Sequence, residues 1–187
     1  MAERPNDVNL EKIKELDELV RGNPPMGKCT LLARSVWQRG TKAQVSISQI
    51  RAGGQDIMPP TRRFVLTVDE PDILGGVDSA PQPIEVLLSA LAGCVTAGIA
   101  TNAAMFAVPI DSLEIDLEAD IDLRGVLGHD KSVRNGVTDI RYTVTIQSPA
   151  PEDQVRRCKE TIDRKSPVRD TLANPVNITS QLVYKPR

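Results

Sequence analysis

The clearest pattern of apolar and polar residues runs over residues 111–123. Every second position from 113 onward is apolar and every position between is Asp or Glu, the apolar set being Leu113, Ile115, Leu117, Ala119, Ile121 and Leu123. A period of two predicts a β-strand with one face in the core and one acidic face in solvent. After a loop over 124–137, a second alternating segment at 140–146 is its expected partner.

Three more strands are predicted in the first third of the chain. Residues 28–37 and 42–50 flank a turn at Arg39-Gly40, so we expect them to pair as a β-hairpin. Residues 63–68 alternate in the same way. The segment 69–83 is rich in turn residues and is expected to form an irregular loop.

Apolar residues at helical spacing predict three helices. The first covers residues 9–20 and is amphipathic. The longest begins near Pro83 or Ile84 and ends before Pro109. The third covers 151–164 and presents one apolar stripe.

The C-terminal part is expected to contain a short helix and a last strand. Ser166 is a preferred N-cap residue and Pro167 suits a first helical turn, so a short helix is predicted over 166–172. A last strand is predicted over 175–184. The order of helix, three strands, helix, two strands, two helices and strand indicates an α+β fold.

Length and charge agree with one domain that carries a short appendage. The 187 residues are enough to bury a core, and we expect an N-terminal helical arm over 1–26 and a single domain over 27–187. The net charge is −2, without the basic excess that nucleic-acid binding requires, so no nucleic acid is expected as a partner.

The cysteines indicate a reducing compartment. Cys29, Cys94 and Cys158 are far apart, odd in number and form no CxxC pair. The first 23 residues also lack the apolar segment of a secretion signal. These features argue against a disulfide framework, and we expect free thiols in a cytoplasmic protein.

Residues 86–110 contain no charged residue and are long enough to resemble a membrane span. The stretch is rich in small and polar residues, and its flanks are acidic, with Glu85 before it and Asp111 after it. Because a span usually carries Lys or Arg on its cytoplasmic side, we expect a helix buried in protein and no membrane partner.

Cys94, near the middle of this long helix, is the candidate reactive group. A free cysteine in a helix is more often an inert core residue. A nucleophilic thiol needs a nearby cation, because burial by itself raises the pKa of a thiol. Residues 64–123 contain eleven Asp and Glu but no Lys or Arg, so the cation must come from the first hairpin, the C-terminal third or a second subunit.

No metal or cofactor site is predicted. His129 is the only histidine and lies in a loop, and the cysteines do not have the spacing of a zinc site. The chain also contains no GxSxG motif and no glycine-rich phosphate loop.

Two segments resemble parts of the OsmC/Ohr family. DEPDILGGVDSAPQPIEVLLSALAGCV looks like the family's central loop and long helix, in which the reactive Cys has an A-G-C or A-A-C context. SPVRDTLANPVNI resembles a later segment of the family. With the order of elements, the resemblance covers roughly residues 28–185.

The resemblance implies an intertwined homodimer with two central helices buried back to back and both sites at the subunit interface. Typical members reduce organic hydroperoxides through the helix Cys, which becomes a sulfenic acid. A second Cys resolves it to a disulfide, and a small dithiol or lipoyl reductant restores the thiols. An Arg held by a Glu activates the first Cys, and the interface would supply the missing cation.

Two positions depart from this pattern. Cys94 matches the attacking Cys, but Ser166 occupies the position of the resolving Cys, and Ile84 occupies that of the Glu. Glu85, nine residues before Cys94, would point to the opposite side of a regular helix, at about 100° per residue. It is a candidate site residue or a first-turn partner of the helix dipole. Arg39 is the candidate activating Arg.

Two functions therefore compete. The first is reduction of organic hydroperoxides by the Cys94 thiolate, in oxidative-stress defence, with an external thiol or lipoyl reductant. The second is a non-catalytic dimer of the same fold that binds a small apolar ligand or a partner, with Cys94 buried and inert. Ile84 and Ser166 favour the second function, and the A-G-C context of Cys94 favours the first.

Overall fold

Residues 5–186 are described by the computed structural model, which has α-helices and β-strands in mixed order within that range. The helices are α1 Leu10–Gly22, α2 Pro83–Met105, α3 Leu123–Val126, α4 Glu152–Lys165 and α5 Pro167–Ala173. The strands are β1 Cys29–Arg39, β2 Lys42–Ala52, β3 Gln55–Asp56, β4 Phe64–Val68, β5 Ser112–Asp120 and β6 Asp139–Gln147. The α+β class is confirmed.

The first sheet is built on the predicted hairpin. β1 and β2 pair antiparallel, and β4 pairs antiparallel with the other edge of β2. Gly40, in the turn between β1 and β2, has a φ of +53°, a conformation that glycine adopts without steric cost. β3, which also pairs with β2, was not predicted, because two residues are too short to show a period.

The second sheet consists of β5 and β6, paired antiparallel along their whole length. Their apolar side chains pack on the core, and the acidic side chains of β5 are exposed. The strand predicted over 111–123 was too long at its end. Asp122 instead caps α3, its carboxylate accepting a hydrogen bond from the main-chain N–H of Arg124 at 3.0 Å.

α2 is the central helix of the protein and begins as the sequence predicts. Pro83 occupies the first turn, and the side chain of Glu85 accepts a hydrogen bond from the main-chain N–H of Gln82 at 2.9 Å. One face packs on β5 and α4, and its buried residues are Leu91, Val95, Ile99, Ala103 and Ala104. At Gly98 a Cβ would collide with the side chain of Ile162, so α4 approaches α2 closely there.

The opposite face of α2 is uncovered within one chain. Small residues on that face, such as Ser89, Gly93 and Ala97, are exposed. By length and composition α2 could cross a membrane, a test that core helices of soluble proteins also pass, and 17% of its most apolar window is buried. The sequence predicted a buried helix, and within one chain only one face of α2 is buried.

The first sheet also carries large apolar side chains that no helix of the same chain covers. Leu31 is 76% exposed, Trp37 71% and Phe64 59%. The buried core lies elsewhere, between α2, α4 and the second sheet. The first sheet is therefore held mainly by strand pairing and offers apolar surface to a neighbour.

The strand predicted over 175–184 is wrong for the single chain. These residues form no strand, and their apolar side chains are exposed, with Ile178 at 84% and Leu182 at 88%. Strand formation depends on hydrogen bonds to a neighbouring strand, and none is paired with this segment within residues 5–186.

Asn6 fixes the N-terminal arm to the segment that follows the central helix. Its side chain donates a hydrogen bond to Val108 O at 2.9 Å and accepts one from Ile110 N at 3.0 Å. α1 confirms the helix predicted over 9–20, and none of its residues is buried. The division into an arm over 1–26 and a domain over 27–187 stays a prediction.

Candidate thiol site

Cys94 lies on the side of α2 that faces the junction between α4 and α5. Its side chain is half-buried, and its Sγ is 3.1 Å from the hydroxyl oxygen of Ser166. Two residues that are 72 positions apart in the chain are thus in direct polar contact. The contact joins the two segments on which the resemblance to a known family was based.

Ser166 is held in one orientation by the start of α5. It is the N-cap residue, and its Oγ accepts a hydrogen bond from the main-chain N–H of Arg169 at 3.1 Å. The residue is 2% exposed, so water does not compete strongly for its hydroxyl. A hydroxyl has one proton to donate, and the sulfur of Cys94 lies within its reach. The N-cap role predicted for Ser166 is confirmed.

Arg39 forms no hydrogen bond or ion pair with Cys94 among the described residues. It lines a separate cavity of about 330 Å³ between the first hairpin turn and the loop at Gly75, Gly76 and Val77. The role of Arg39 as the activating cation stays a prediction. Within one chain it is not supported by a contact with Cys94.

Glu85 acts locally in the single chain. Its carboxylate accepts the hydrogen bond from Gln82 that starts α2, as the predicted role of a first-turn partner requires. α2 is helical from Pro83 through Cys94, so nine residues separate the two side chains on a regular helix. A direct contact of Glu85 with the thiol of the same chain is not formed.

The other two thiols, of Cys158 and Cys29, have different surroundings from Cys94. The Sγ of Cys158 donates to Gln154 O at 3.3 Å, the residue is buried in the core, and burial raises the pKa of its thiol. Cys29 is exposed on β1. Cys94 therefore has a hydroxyl as its polar neighbour, and no second cysteine is bonded to it in the described part of the chain.

No cluster of metal ligands occurs within the described residues. His129 is exposed in the loop after α3, where its main-chain N–H donates to Arg124 O at 2.8 Å.

A larger cavity of about 690 Å³ adjoins α2, α4 and α5 and was not predicted; neither Cys94 nor Ser166 is among the residues that line it. The first three turns of α2 form one side, through Ile84, Leu87 and Leu91. Segment 134–142, α4 and α5 form the others. Because these segments are far apart in the chain, no local sequence pattern indicates that they line one cavity. Only the helix cap at Ser166 could have indicated that α5 would bring its residues here.

Two polar residues fix one wall of this cavity. The hydroxyl of Tyr142 donates to Asp163 Oδ1 at 2.7 Å, and burial followed by this contact raises the pKa of Tyr142 to about 12. Lys159 pairs with the same carboxylate at 2.6 Å. Tyr142 is therefore an uncharged hydroxyl at neutral pH, and the charge of Asp163 is compensated within the wall.

Comparison with known proteins gives one family match. The family model for OsmC-like protein matches residues 76–181, which include all of α2 and α5. No curated protein sequence matches the chain.

Solved structures with the same fold come from several bacteria. An OsmC-like protein from Mycoplasma pneumoniae has a TM-score of 0.60 and 18% identity, covering 78% of this chain and 89% of that one. A putative osmotic stress induced and detoxification response protein from Psychrobacter arcticus has a TM-score of 0.56 and 14% identity, with coverages of 74% and 85%. An OsmC-like protein of unknown function from Vibrio cholerae has a TM-score of 0.54 and 12% identity, with coverages of 76% and 92%.

Proposed function

This chain belongs to the OsmC-like protein family, and on that premise we propose that it reduces organic hydroperoxides through the thiol of Cys94. The observation that carries the proposal is the contact of 3.1 Å between Cys94 Sγ and Ser166 Oγ. It places a hydroxyl within hydrogen-bond distance of the half-buried sulfur, in a site built by two separate segments.

The proposed reaction needs one cysteine of the protein and two external thiol groups, which one dithiol can supply. The Cys94 thiolate attacks the terminal peroxide oxygen, the O–O bond breaks, and the alkoxide leaves and takes up a proton as an alcohol. Cys94 is oxidised to a sulfenic acid. A thiol or lipoyl reductant then attacks this sulfur and releases water, and a second reductant thiol breaks the mixed disulfide and returns Cys94 to its starting state.

Ser166 takes part as a hydrogen-bond donor. Because Arg169 N–H already occupies one lone pair of its Oγ, the hydroxyl proton is available to the sulfur. Donation to a thiolate favours the charged, reactive form. A serine has no thiol to form a disulfide, so the sulfenic acid persists until an external thiol arrives.

We further propose that the protein acts as a cytoplasmic homodimer. The uncovered apolar side chains of the first sheet and the open face of α2 support this, because large apolar surfaces are usually buried in an interface. A partner subunit would also bring a guanidinium to Cys94, which the 64–123 segment of the same chain cannot supply.

The competing function is a dimer with an inert Cys94. It is favoured by one observation: within residues 5–186 of one chain, the sulfur is hydrogen-bonded to a neutral hydroxyl and not to a cation. Such a protein would bind a ligand in the neighbouring cavity without redox chemistry.

Hydroperoxide consumption distinguishes the two functions. Wild-type protein with dithiothreitol should reduce cumene hydroperoxide, Cys94→Ser should not, and Cys158→Ser should retain the activity of the wild type because Cys158 belongs to the core. A rate constant no higher than that of free cysteine would exclude the peroxidase and leave the inert dimer.

A further inference from the structure

The corner between α4 and α5 places the hydroxyl of Ser166 against Cys94. α4 ends at Lys165 and α5 begins at Pro167, so Ser166 alone connects the two helices. Its Oγ lies 3.1 Å from the Sγ of Cys94. Because a hydrogen bond requires a narrow range of distance and angle, this contact depends on where the corner lies.

The end of α4 is tied to the second sheet by Tyr142 of β6. The hydroxyl of Tyr142 donates to Asp163 Oδ1 at 2.7 Å, and the carboxylate of Asp163 also pairs with Lys159 at 2.6 Å. Burial raises the pKa of Asp163, but hydrogen bonds from Lys159 and Tyr142 outweigh it and hold that pKa below its usual range. Tyr142 therefore donates to a charged carboxylate, a contact about twice as strong as one between neutral groups.

The start of α5 is tied back to the same part of α4 by Arg169. One guanidinium nitrogen of Arg169 donates to the main-chain oxygen of Asp163 at 2.9 Å. The main-chain N–H of Arg169 donates to Ser166 Oγ at 3.1 Å. Asp163 thus joins Tyr142 of β6 to Arg169 of α5, and Ser166 lies midway between Asp163 and Arg169 in the chain.

These two side chains reach the thiol only through Ser166. The hydrogen-bond partner of the Cys94 sulfur within residues 5–186 is the hydroxyl of Ser166. Val168 and Leu172 also pack α5 on the core, but apolar contacts are non-directional and do not set the angle of a hydrogen bond. The orientation of the hydroxyl therefore depends on the polar ties at Asp163.

We infer that Tyr142 and Arg169 are positioning residues, which act on Cys94 by holding Ser166 in place. The inference rests on the proposed function in one respect, namely that the Ser166 hydroxyl donates to the Cys94 thiolate. Removing either side chain retains that hydroxyl but releases the corner, so the thiolate loses part of the hydrogen bond that stabilises it.

The test is a double-mutant cycle on the alkylation of Cys94 by iodoacetamide, a reaction of the thiolate that requires no hydroperoxide. Tyr142→Phe and Arg169→Met should each slow alkylation at pH 7 by about three- to tenfold, because each weakens one hydrogen bond to the sulfur. The loss should disappear at high pH, where the thiol is ionised with or without this hydrogen bond. A change in the access of the reagent would persist there.

Ser166→Ala provides the second side of the cycle. In this background neither Tyr142→Phe nor Arg169→Met should slow alkylation further, because the hydroxyl through which they act is absent. Equal fold losses in both backgrounds, or unchanged rates in both single variants, would overturn the inference. The two variants remove different side chains, so either one completes a cycle if the other does not fold.

Two substitutions serve as matched controls. Tyr184 is 78% exposed and lies in the C-terminal segment, outside the corner, so Tyr184→Phe should not change the alkylation rate. Arg156 pairs with Glu152 at the other end of α4, so Arg156→Met should not change it either.

The positioning role and the proposed function can fail separately. Reduction of cumene hydroperoxide by the wild type tests the function, and the alkylation cycle tests the positioning role. A cycle that depends on Ser166 without hydroperoxide reduction would contradict the peroxidase and retain the positioning role, and the reverse result would do the opposite. Wild-type Cys94 that iodoacetamide does not modify up to about pH 9 would overturn the positioning role.

Discussion

At the residue scale, side-chain hydroxyls provide the polar contacts of the Cys94 sulfur and of a buried carboxylate. Ser166 contacts the sulfur of Cys94, and Thr41 and Ser79 contact the buried carboxylate of Asp69. At Asp69 the hydroxyls of Thr41 and Ser79 donate to the carboxylate, whereas in the contact between Ser166 and Cys94 either group can be the donor. Such contacts are effective because water is largely excluded from them.

Ser166 gives the sharpest test at this scale. Ser166→Ala removes the hydroxyl that contacts the sulfur and caps α5, and we expect oxidation of Cys94 by cumene hydroperoxide to slow by about 10- to 100-fold, since a hydrogen bond to a charged group contributes ~1.5–3 kcal/mol. Stopped-flow measurement of thiol loss gives the rate. Circular dichroism of the variant controls for loss of the α5 cap, which alone would lower helicity and stability.

Ser166→Cys should convert the site into a disulfide-forming pair. The side-chain atoms are 3.1 Å apart, close enough for a disulfide to form with a small shift. After one equivalent of hydroperoxide, non-reducing mass spectrometry should detect a bond between positions 94 and 166. A sulfenic acid that remains stable in this variant would contradict the arrangement described.

Asp69 predicts an acid dependence of stability. Hydrogen bonds from the hydroxyls of Ser79 and then Thr41 hold the pKa of Asp69 well below its usual range. A depressed folded-state pKa contributes stability above the unfolded pKa, near 3.9, and that contribution is lost as the pH falls through the lower folded value. Urea unfolding at pH 5 and pH 2.5 should therefore show a smaller drop for Asp69→Asn than for the wild type. An equal drop would contradict this role.

At the element scale, the close packing of α4 on α2 positions Ser166 against Cys94. Gly98 permits this approach, because a Cβ at that position would collide with Ile162. The N-cap at Ser166 then turns the chain into α5 directly over the thiol. Small changes at Gly98 should thus affect both stability and the site.

Gly98→Ala should destabilise the protein by about 1–3 kcal/mol, the usual cost of overpacking a core, despite the higher helix propensity of alanine. Thermal or urea unfolding measures this cost. In an Ile162→Ala background, which removes the colliding atoms, the same substitution should cost clearly less. Equal costs in the two backgrounds would contradict the contact.

Local sequence patterns predicted most helices and strands correctly because these elements are stabilised by contacts within the same chain. β5 followed from alternation, and α2 followed from Pro83 and Glu85 at its start. The last strand failed because alternation over 175–184 supplies the side chains of a strand but not the neighbouring strand that must bond to it. The predicted end of β5 was wrong because Asp122 caps α3, although the alternation of apolar and acidic residues continues to Leu123.

The candidate site was predictable only where a known family pattern could be applied. The family pattern indicated both Cys94 and Ser166 as site positions. Spacing alone would have predicted Cys94 to be a core residue. The cavity was missed because Arg134, Tyr142 and Arg169 meet through folding, and no period relates them along the chain.

At the scale of the whole molecule, the single chain has two uncovered apolar surfaces. The first sheet and the open face of α2 lack a cover, while the core between α2, α4 and the second sheet is well packed. This distribution is typical of a subunit that buries part of its surface against a copy of itself.

The proposed dimer predicts a mass of twice 20.4 kDa in analytical ultracentrifugation. Phe64→Asp, on the first sheet, should shift the protein towards the monomer, because it would bury a charge in the interface. Val126→Asp is the control, since Val126 is also exposed but lies in α3, on neither surface. A wild-type monomer at micromolar concentration would contradict the proposal.

The central claim, that Cys94 is the reactive thiol, is tested most directly by trapping its oxidation product. Native protein treated with one equivalent of cumene hydroperoxide in the presence of dimedone is digested and examined by mass spectrometry. We predict a dimedone adduct at Cys94 within seconds, and none at Cys29 or Cys158. An unmodified Cys94 after the hydroperoxide has been given minutes to react would contradict the account.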